Sequence, residues 1–196
     1  MMTLNANPRL CARVMSGMFA IVLFAGVAAA EEAMQPLFED FAAAPETRWH
    51  YVADGVMGGV SQGQSEIVRH GEYAAIRLWG RVSTDNNGGF IQVRRDIAGG
   101  LPSEAQGLRL SVRGNGETYY VFLRTHGLTR VWHSYRFSFT APDHWSEIEM
   151  NFADFVPSHG DMPPSFDTRD LRRIGLVAYG QDYDADLTVR SIAVYD

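Results

Sequence analysis

A glycine-flanked serine is the first feature of this sequence that could carry chemistry. Gly59-Val60-Ser61-Gln62-Gly63 matches the G-x-S-x-G pattern, which in serine hydrolases places the nucleophile between a strand and a helix. The residues after Ser61 alternate like a strand, so no helix follows to help build an oxyanion hole. We expect the glycines to shape a compact turn, and a serine hydrolase using Ser61 is kept as an alternative.

Polar side chains concentrate in two glycine-rich segments about thirty residues apart. Asp54 and Ser61 belong to the first, and Asn86 and Asn87 to the second. Asparagine tolerates left-handed backbone angles, so a turn role is the first interpretation of both asparagines. In a binding role, their amides would join Asp54 and Ser61 around a polar pocket for a sugar or a peptide end, because such groups donate and accept in fixed directions. The candidate ligand-binding residues are Asp54, Met57, Ser61, Trp79, Asn86 and Asn87.

Metal-ligand patterns are incomplete. Asp182-Tyr183-Asp184-Ala185-Asp186 begins like a calcium loop, but Leu187 stands where the turn glycine belongs and Ala193 where the closing glutamate belongs. The six histidines form no H-E-x-x-H pair, and no two carboxylates stand out as an acid and base set. We therefore expect no catalytic residues, no metal and no cofactor, and leave open a looser calcium site near residues 182–186.

Aromatic side chains are the last group of residues that could bind a ligand or partner. Trp79, Tyr120, Phe122, Trp132 and Tyr135 fall on both parities of their segments, so some of them should face away from a core. Exposed rings on a sheet can stack on sugars or contact a partner protein, unless a loop covers them.

The sequence predicts that these residues lie on or between β-strands. Leu108, Leu110 and Val112 alternate with polar residues, as on a strand with one face towards a core. Counting such runs gives about ten strands, spaced as in sandwiches and barrels. They are predicted over residues 38–41, 49–53, 64–68, 73–82, 89–95, 107–113, 117–125, 132–139, 146–151, 172–178 and 186–195.

Irregular features complete this picture. Short helical turns are predicted near residues 151–155 and 167–172, and a bulge near 190–191, where the alternation changes phase. Residues 141–170 hold four of the eight prolines and should form a surface excursion. The predicted fold is all-β: a two-sheet antiparallel β-sandwich or jelly roll.

The N-terminal segment has the composition of an export signal. Arg9 and Arg13 precede an apolar run over residues 14–27, which ends at the small residues Ala28-Ala29-Ala30. We expect a signal peptide over residues 1–30 and a single domain over 31–196, exported to the periplasm; an uncleaved membrane anchor is the alternative. The mature domain would contain no cysteine, because Cys11 leaves with the signal.

The charge composition bears on the class of partner. All 17 basic residues are arginine, against 23 acidic residues, and the net charge is −6. The arginines are scattered along the sequence, so we expect no nucleic-acid partner, because phosphate binding needs a concentrated basic face.

Several segments together carry a family resemblance. Residues 54–61 and 86–90, followed by 107–114 with Tyr119, Trp145 with 151–155, and Ile174-Gly175-Leu176, resemble the complex I intermediate-associated protein 30 family. The resemblance spans nearly the whole mature chain. It implies a galactose-binding-like β-sandwich, no established catalytic residues and, as in the mitochondrial relatives, a chaperone-like role in assembling a membrane enzyme.

Two binding functions follow, besides the hydrolase. The first is a non-catalytic protein-binding module with an assembly-factor or chaperone-like role, whose client is a membrane or envelope protein. The second is a periplasmic carbohydrate-binding module, which would use the sandwich and its aromatic and polar residues.

Overall fold

The computed structural model describes residues 37–71 and 73–196, and the expected export signal lies outside them. Within this part of the chain, twelve strands form two antiparallel sheets of six strands each. The strands are β1 (Leu37–Glu39), β2 (His50–Ala53), β3 (Gln62–His70), β4 (Tyr73–Val82), β5 (Phe90–Asp96), β6 (Gly107–Arg113), β7 (Thr118–Thr125), β8 (Tyr135–Thr140), β9 (Ser146–Asn151), β10 (Val156–Pro157), β11 (Leu171–Tyr179) and β12 (Tyr183–Tyr195).

The strand order separates the two layers. In sheet A the order is β3-β4-β12-β6-β9, and β1 pairs with the end of β12. In sheet B the order is β10-β8-β7-β11-β5-β2. The fold is therefore the predicted two-sheet antiparallel sandwich of the jelly-roll type.

Alternating side chains from both sheets fill the space between the layers. Leu110 and Val112 of β6 are fully buried, and so are Val121 and Leu123 of β7. Tyr119 is also fully buried and accepts a hydrogen bond from the backbone N–H of Asp186, which joins the two sheets. Burial of such side chains at about 1.5–3 kcal/mol each is the main stabilising contribution.

Helical structure in the described residues is limited to five short 3-10 turns. They are Pro45–Thr47, Asp54–Met57, Asp85–Asn87, Phe152–Asp154 and Thr168–Asp170. The turns predicted near 151–155 and 167–172 are confirmed. None of the helical segments described here is long and apolar enough to cross a membrane.

Each predicted strand corresponds to an observed one, and the strand ends agree within two residues except at the starts of β8 and β12; β12 begins at Tyr183, three residues earlier than predicted. β8 begins at Tyr135, three residues later than predicted, because the guanidinium of Arg124 binds the backbone carbonyls of Leu128, Arg130 and Val131 and holds them in a loop. Trp132 consequently lies in that loop and is 53% exposed. The two-residue β10 was not predicted. The bulge near residues 190–191 is confirmed by a register shift between Val189 and Ser191.

Candidate functional site

Asp54 links the two glycine-rich segments. It begins the 3-10 turn after β2, and its side chain is fully buried. Its Oδ1 accepts a hydrogen bond from the backbone N–H of Ser61 at 3.0 Å, and its Oδ2 accepts one from the Ser61 hydroxyl at 2.5 Å. Oδ2 also accepts from the N–H groups of Gly89 at 2.6 Å and Phe90 at 3.2 Å. One carboxylate thus joins turns that are 35 residues apart.

The charged form of Asp54 depends on these bonds. Burial alone raises the pKa of a carboxyl group, but the hydrogen bonds from Ser61, Gly89 and Phe90 outweigh it and lower the pKa of Asp54 below its usual value. Gly59 supplies the necessary space, because a Cβ there would overlap the Asp54 carboxyl group. We call Asp54 and its hydrogen-bond donors the Asp54 clamp.

Ser61, the serine of the G-x-S-x-G pattern, is a buried member of this clamp. Its hydroxyl donates to Asp54 and accepts a hydrogen bond from the backbone N–H of Ser83 at 3.0 Å. β3 begins at the next residue, so the predicted strand after Ser61 is confirmed. A nucleophile elbow needs an exposed hydroxyl with a helix behind it. Ser61 instead has the position of a residue that joins two turns.

The clamp leaves apolar side chains in solvent. Val56 is 75% exposed, Met57 58% and Val60 44%. We call residues 55–60, which contain them, the apolar loop. Asp54 and Ser61 fix the two ends of this loop, so its side chains project from an ordered backbone.

Asn86 and Asn87 lie on the second turn and are exposed. Their φ angles of 57° and 59° are left-handed, in agreement with the turn role predicted for them. The turn ends at Gly88, which lies against the Asp54 carboxylate, and a Cβ at that position would overlap Oδ2. Five of the six candidate residues therefore lie in this region: Asp54 and Ser61 are buried in the clamp, and Met57, Asn86 and Asn87 are exposed around it.

Trp79 lies away from this region, on the outward face of sheet A. The guanidinium of Arg77 is 5.0 Å from the centroid of its ring, and Arg77 also forms two 2.8 Å hydrogen bonds to Asp186. A groove of about 410 Å³ crosses the same face. At one side of the groove Arg190 lies 5.0 Å from the ring centroid of Trp145. The arginines of this groove already have acidic or aromatic neighbours.

Aromatic rings also cover part of the outward face of sheet B. Tyr120, Phe122 and Tyr179 contact one another edge to face, with centroids 5.4 to 5.9 Å apart. Arg136 lies 4.5 Å from the Phe122 centroid and 4.7 Å from that of Tyr179. The prediction that some rings face away from the core is thus confirmed for Tyr120 and Phe122, whereas Tyr135 is a core residue.

A row of paired residues crosses this face. Arg136, Phe122, Gly175, Arg94 and His50 are successive partners on β8, β7, β11, β5 and β2. Gly175 adds no side chain to the row, and it is itself buried between its neighbours. We call the outward side of sheet B around this row the sheet B face.

The incomplete calcium loop has other partners. Asp182 accepts hydrogen bonds from the backbone N–H and the hydroxyl of Thr84 at 2.7 and 2.8 Å, and both lower its pKa. Asp184 and Asp186 each pair with an arginine of β4. Residues 37–71 and 73–196 contain no group of three or more His, Cys, Asp or Glu side chains arranged to hold a metal ion.

The sheet B face was not predicted as a binding site from the sequence. Its outward residues come from five strands, and their neighbours are set by sheet order, which the sequence does not show. The available signal was the run Thr118–Thr125, where rings occupy both parities of one strand.

The architecture defines this molecule as a jelly-roll β-sandwich module. Its sequence matches the family model described as "Complex I intermediate-associated protein 30 (CIA30)" over residues 39–189. The chain belongs to that family, and the resemblance carried by its glycine-rich segments is confirmed. No curated protein matches the chain.

Solved structures share the fold at low sequence identity. The family 11 carbohydrate-binding module of a cellulosomal cellulase of Clostridium thermocellum has a TM-score of 0.69 at 15% identity, covering 82% of this chain and 93% of that chain. The Clostridium thermocellum family 11 module in complex with a β-1,3-1,4-mixed-linked tetrasaccharide has a TM-score of 0.68 at 16% identity, covering 82% and 94%. A family 30 module of another cellulosomal cellulase of that organism has a TM-score of 0.51 at 12% identity, covering 70% and 91%. At these identities the likeness shows the fold alone.

Proposed function

We propose that this chain is a non-catalytic binding module with an assembly-factor or chaperone-like role towards a protein client. The family supports the role. The observation that carries it is the apolar loop, where Val56, Met57 and Val60 remain exposed on a backbone that the Asp54 clamp fixes. Neither catalysis nor a cofactor is part of this role.

The physical mechanism is transient burial of apolar surface on the client. Exposed apolar side chains gain about 25 cal/mol for each Å² removed from water. An ordered loop loses little conformational entropy when it binds, so more of that gain appears as affinity. Met57 adapts its shape to different surfaces, which suits a partner that is itself incompletely assembled.

The compartment of this role is the periplasm, as the composition of residues 1–30 indicates. The client would then be a protein of the cell envelope or a membrane complex exposed to it.

Site-specific photo-crosslinking tests the proposal. We expect a photo-reactive amino acid at Val56 to give adducts with one or a few envelope proteins in the native host. Replacing Met57 and Val60 by serine should reduce those adducts about tenfold, because two apolar contacts are lost. Added sugars should leave the adducts unchanged.

Val131 provides the matched control. It is also 75% exposed, but it follows β7 at the end of sheet B where Thr125 pairs with Leu171. The apolar loop follows Ala53, which pairs with Ile91 at the other end. Equal adducts from both positions, or adducts abolished by sugars, would contradict a client site at the apolar loop.

The sheet B face favours a second candidate function, carbohydrate binding. Tyr120, Phe122 and Tyr179 form a partly exposed ring cluster beside Arg136, and aromatic rings with adjacent polar groups suit the apolar faces and hydroxyls of sugars. Retention on immobilised polysaccharide should fall when Tyr179 is replaced by alanine and persist when Trp79 is replaced. The reverse pattern would move the site to sheet A.

A further inference from the structure

The strands of sheet B carry a net positive charge, whereas those of sheet A are balanced. The strands of sheet B contain six arginines and a single acidic residue, Asp96. The strands of sheet A contain six arginines and six acidic residues. Since the chain has a net charge of −6, the excess on sheet B runs against the charge of the whole molecule.

Arg94 is the central cation of this excess. It forms no ion pair with any residue that the structure describes, whereas Arg173 beside it pairs with Asp96 at 2.6 Å. Burial and the neighbouring Arg173 lower the pKa of Arg94. Arg94 also lines a depression of about 390 Å³ at the end of the sheet B face. The depression is lined by Thr47, Arg48, His50, Arg94, Arg95, Asp96 and Arg173.

Two further guanidinium groups each have a buried N–H donor without an acceptor. The Nε atoms of Arg124 and Arg172 are buried and have no hydrogen-bond partner among the described residues. Burial, followed by the charges of Arg172, Arg173 and Arg94, lowers the pKa of Arg124. Asp96 is the carboxylate near Arg94, Arg172 and Arg173, so three partly buried cations share one counter-ion. Such an excess of like charge is costly, and a bound anion would offset that cost.

The position of these groups restricts the kind of anion. β7 lies between β8 and β11, and β11 lies between β7 and β5, so their backbone groups already pair within the sheet. An extended peptide therefore finds no free strand edge over β7, β11 or β5; the edge strand β2 borders only the depression, where strand addition, a usual mode of peptide binding, remains open. Recognition must come from side chains, and the ring cluster of Tyr120, Phe122 and Tyr179 lies next to the arginines on the same face.

We propose that the sheet B face binds an acidic polysaccharide, with sugar rings against the ring cluster and a carboxylate at Arg94. This inference rests on the second candidate function and adds its substrate class. The chain would cross the sheet above Gly175, the position of the row that has no side chain. Arg94 and the depression beside it would receive the charged substituent.

Affinity electrophoresis of the full chain tests this assignment with matched probes. Polygalacturonate and its methyl ester share one backbone, and only the first is charged. We expect the acid to bind about tenfold more tightly than the ester, and that preference to weaken with added salt. Arg94→Gln should abolish the preference and leave ester binding intact. Arg81→Gln, which removes a 60% exposed arginine from sheet A, should change neither.

Gly175→Leu is an independent variant, because it adds a side chain in the middle of the row. The φ angle of Gly175 is not left-handed, and the nearest atom to a new Cβ is the movable Oε1 of Gln92 at 3.1 Å. The variant should fold and should bind both polymers weakly; an unchanged thermal midpoint verifies the fold. Binding that is unaffected by Gly175→Leu would place the site elsewhere and overturn the assignment.

The remaining outcomes distinguish a failure of the acidic specificity from a failure of carbohydrate binding itself. Equal binding of acid and ester overturns the acidic specificity and leaves carbohydrate binding standing. Binding of poly-glutamate as tight as that of polygalacturonate overturns the polysaccharide in favour of an acidic peptide. If neither polysaccharide binds, both the inference and the second candidate function fail.

Discussion

At the residue scale, the buried carboxylate of Asp54 holds two turns of the backbone together. Four hydrogen bonds reach its two oxygens, and three of them come from backbone N–H groups. Such groups cannot turn away from the carboxylate without moving the chain, so they fix both turns. The same residue therefore determines where the exposed Met57 and Val60 lie.

Asp54→Asn should destabilise the fold while keeping its shape. The amide nitrogen of asparagine donates hydrogen bonds and would face N–H donors, so at least one buried donor loses its partner. We expect a loss of about 2–3 kcal/mol in the free energy of unfolding, measured with urea. Asp184→Asn, at a site with an 81% exposed side chain, should change it by less than about 0.5 kcal/mol. Equal effects of the two substitutions would remove the structural role of Asp54.

Only part of the candidate site could be predicted from residue types. The left-handed turn at Asn86 and Asn87 could be, because asparagine and glycine have local backbone preferences. The bond between Asp54 and Gly89 could not, because no local pattern reports which residue lies opposite another 35 positions away. A free carboxylate and a buried one have the same sequence signature, so Asp54 was a candidate ligand until its partners were known.

At the element scale, the two turns pack so closely that glycine is required. A Cβ at Gly59 would overlap the carboxyl group of Asp54, whereas one at Gly55 meets no atom within 4 Å. We expect Gly59→Ala to cost about 2 kcal/mol in the free energy of unfolding, because Asp54 cannot withdraw from its donors. Gly55→Ala, in the same turn, should be nearly neutral. A thermal midpoint that falls equally in both variants would show that backbone freedom, and not space, explains these glycines.

The strands themselves were predictable because each has one buried face. In β7 the alternation of Tyr119, Val121 and Leu123 with outward residues is complete, and the prediction was within one residue. β10 could not be predicted, since two residues cannot show a period. The start of β8 was placed too early because Val131 and Trp132 are apolar, although both are exposed in a loop whose carbonyls bind Arg124, at the end of β7.

At the scale of the whole molecule, Glu39 connects the two sheets. It belongs to β1 of sheet A, and its carboxylate accepts hydrogen bonds from Arg95 of β5, in sheet B, at 2.7 Å and from Arg48 at 2.7 Å. The indole N–H of Trp49 and the backbone N–H of Phe41 also donate to it, each at 2.8 Å. Both carboxylate oxygens of Glu39 therefore accept hydrogen bonds from protein donors, and only 3% of the residue is exposed.

The stability of the sandwich should therefore depend on the charge of Glu39. Burial raises its pKa, but the bonds from Arg48, Trp49 and Phe41 outweigh burial and lower it below 4.5. A carboxyl group with a lowered folded-state pKa contributes stability that is complete above about pH 4.5 and is lost as the pH falls through the folded-state pKa. Glu39→Gln should cost about 3 kcal/mol at pH 7, because it leaves two arginines without their counter-ion.

Urea unfolding at a series of pH values should show that the difference between this variant and the unchanged chain shrinks below pH 4.5, since glutamine does not titrate. Glu149→Gln removes an exposed partner of Arg109 and should cost less than about 1 kcal/mol. If the difference in the free energy of unfolding between Glu39→Gln and the unchanged chain stays constant from pH 7 to pH 3, the packing of the Glu39 side chain joins the sheets and its charge contributes nothing.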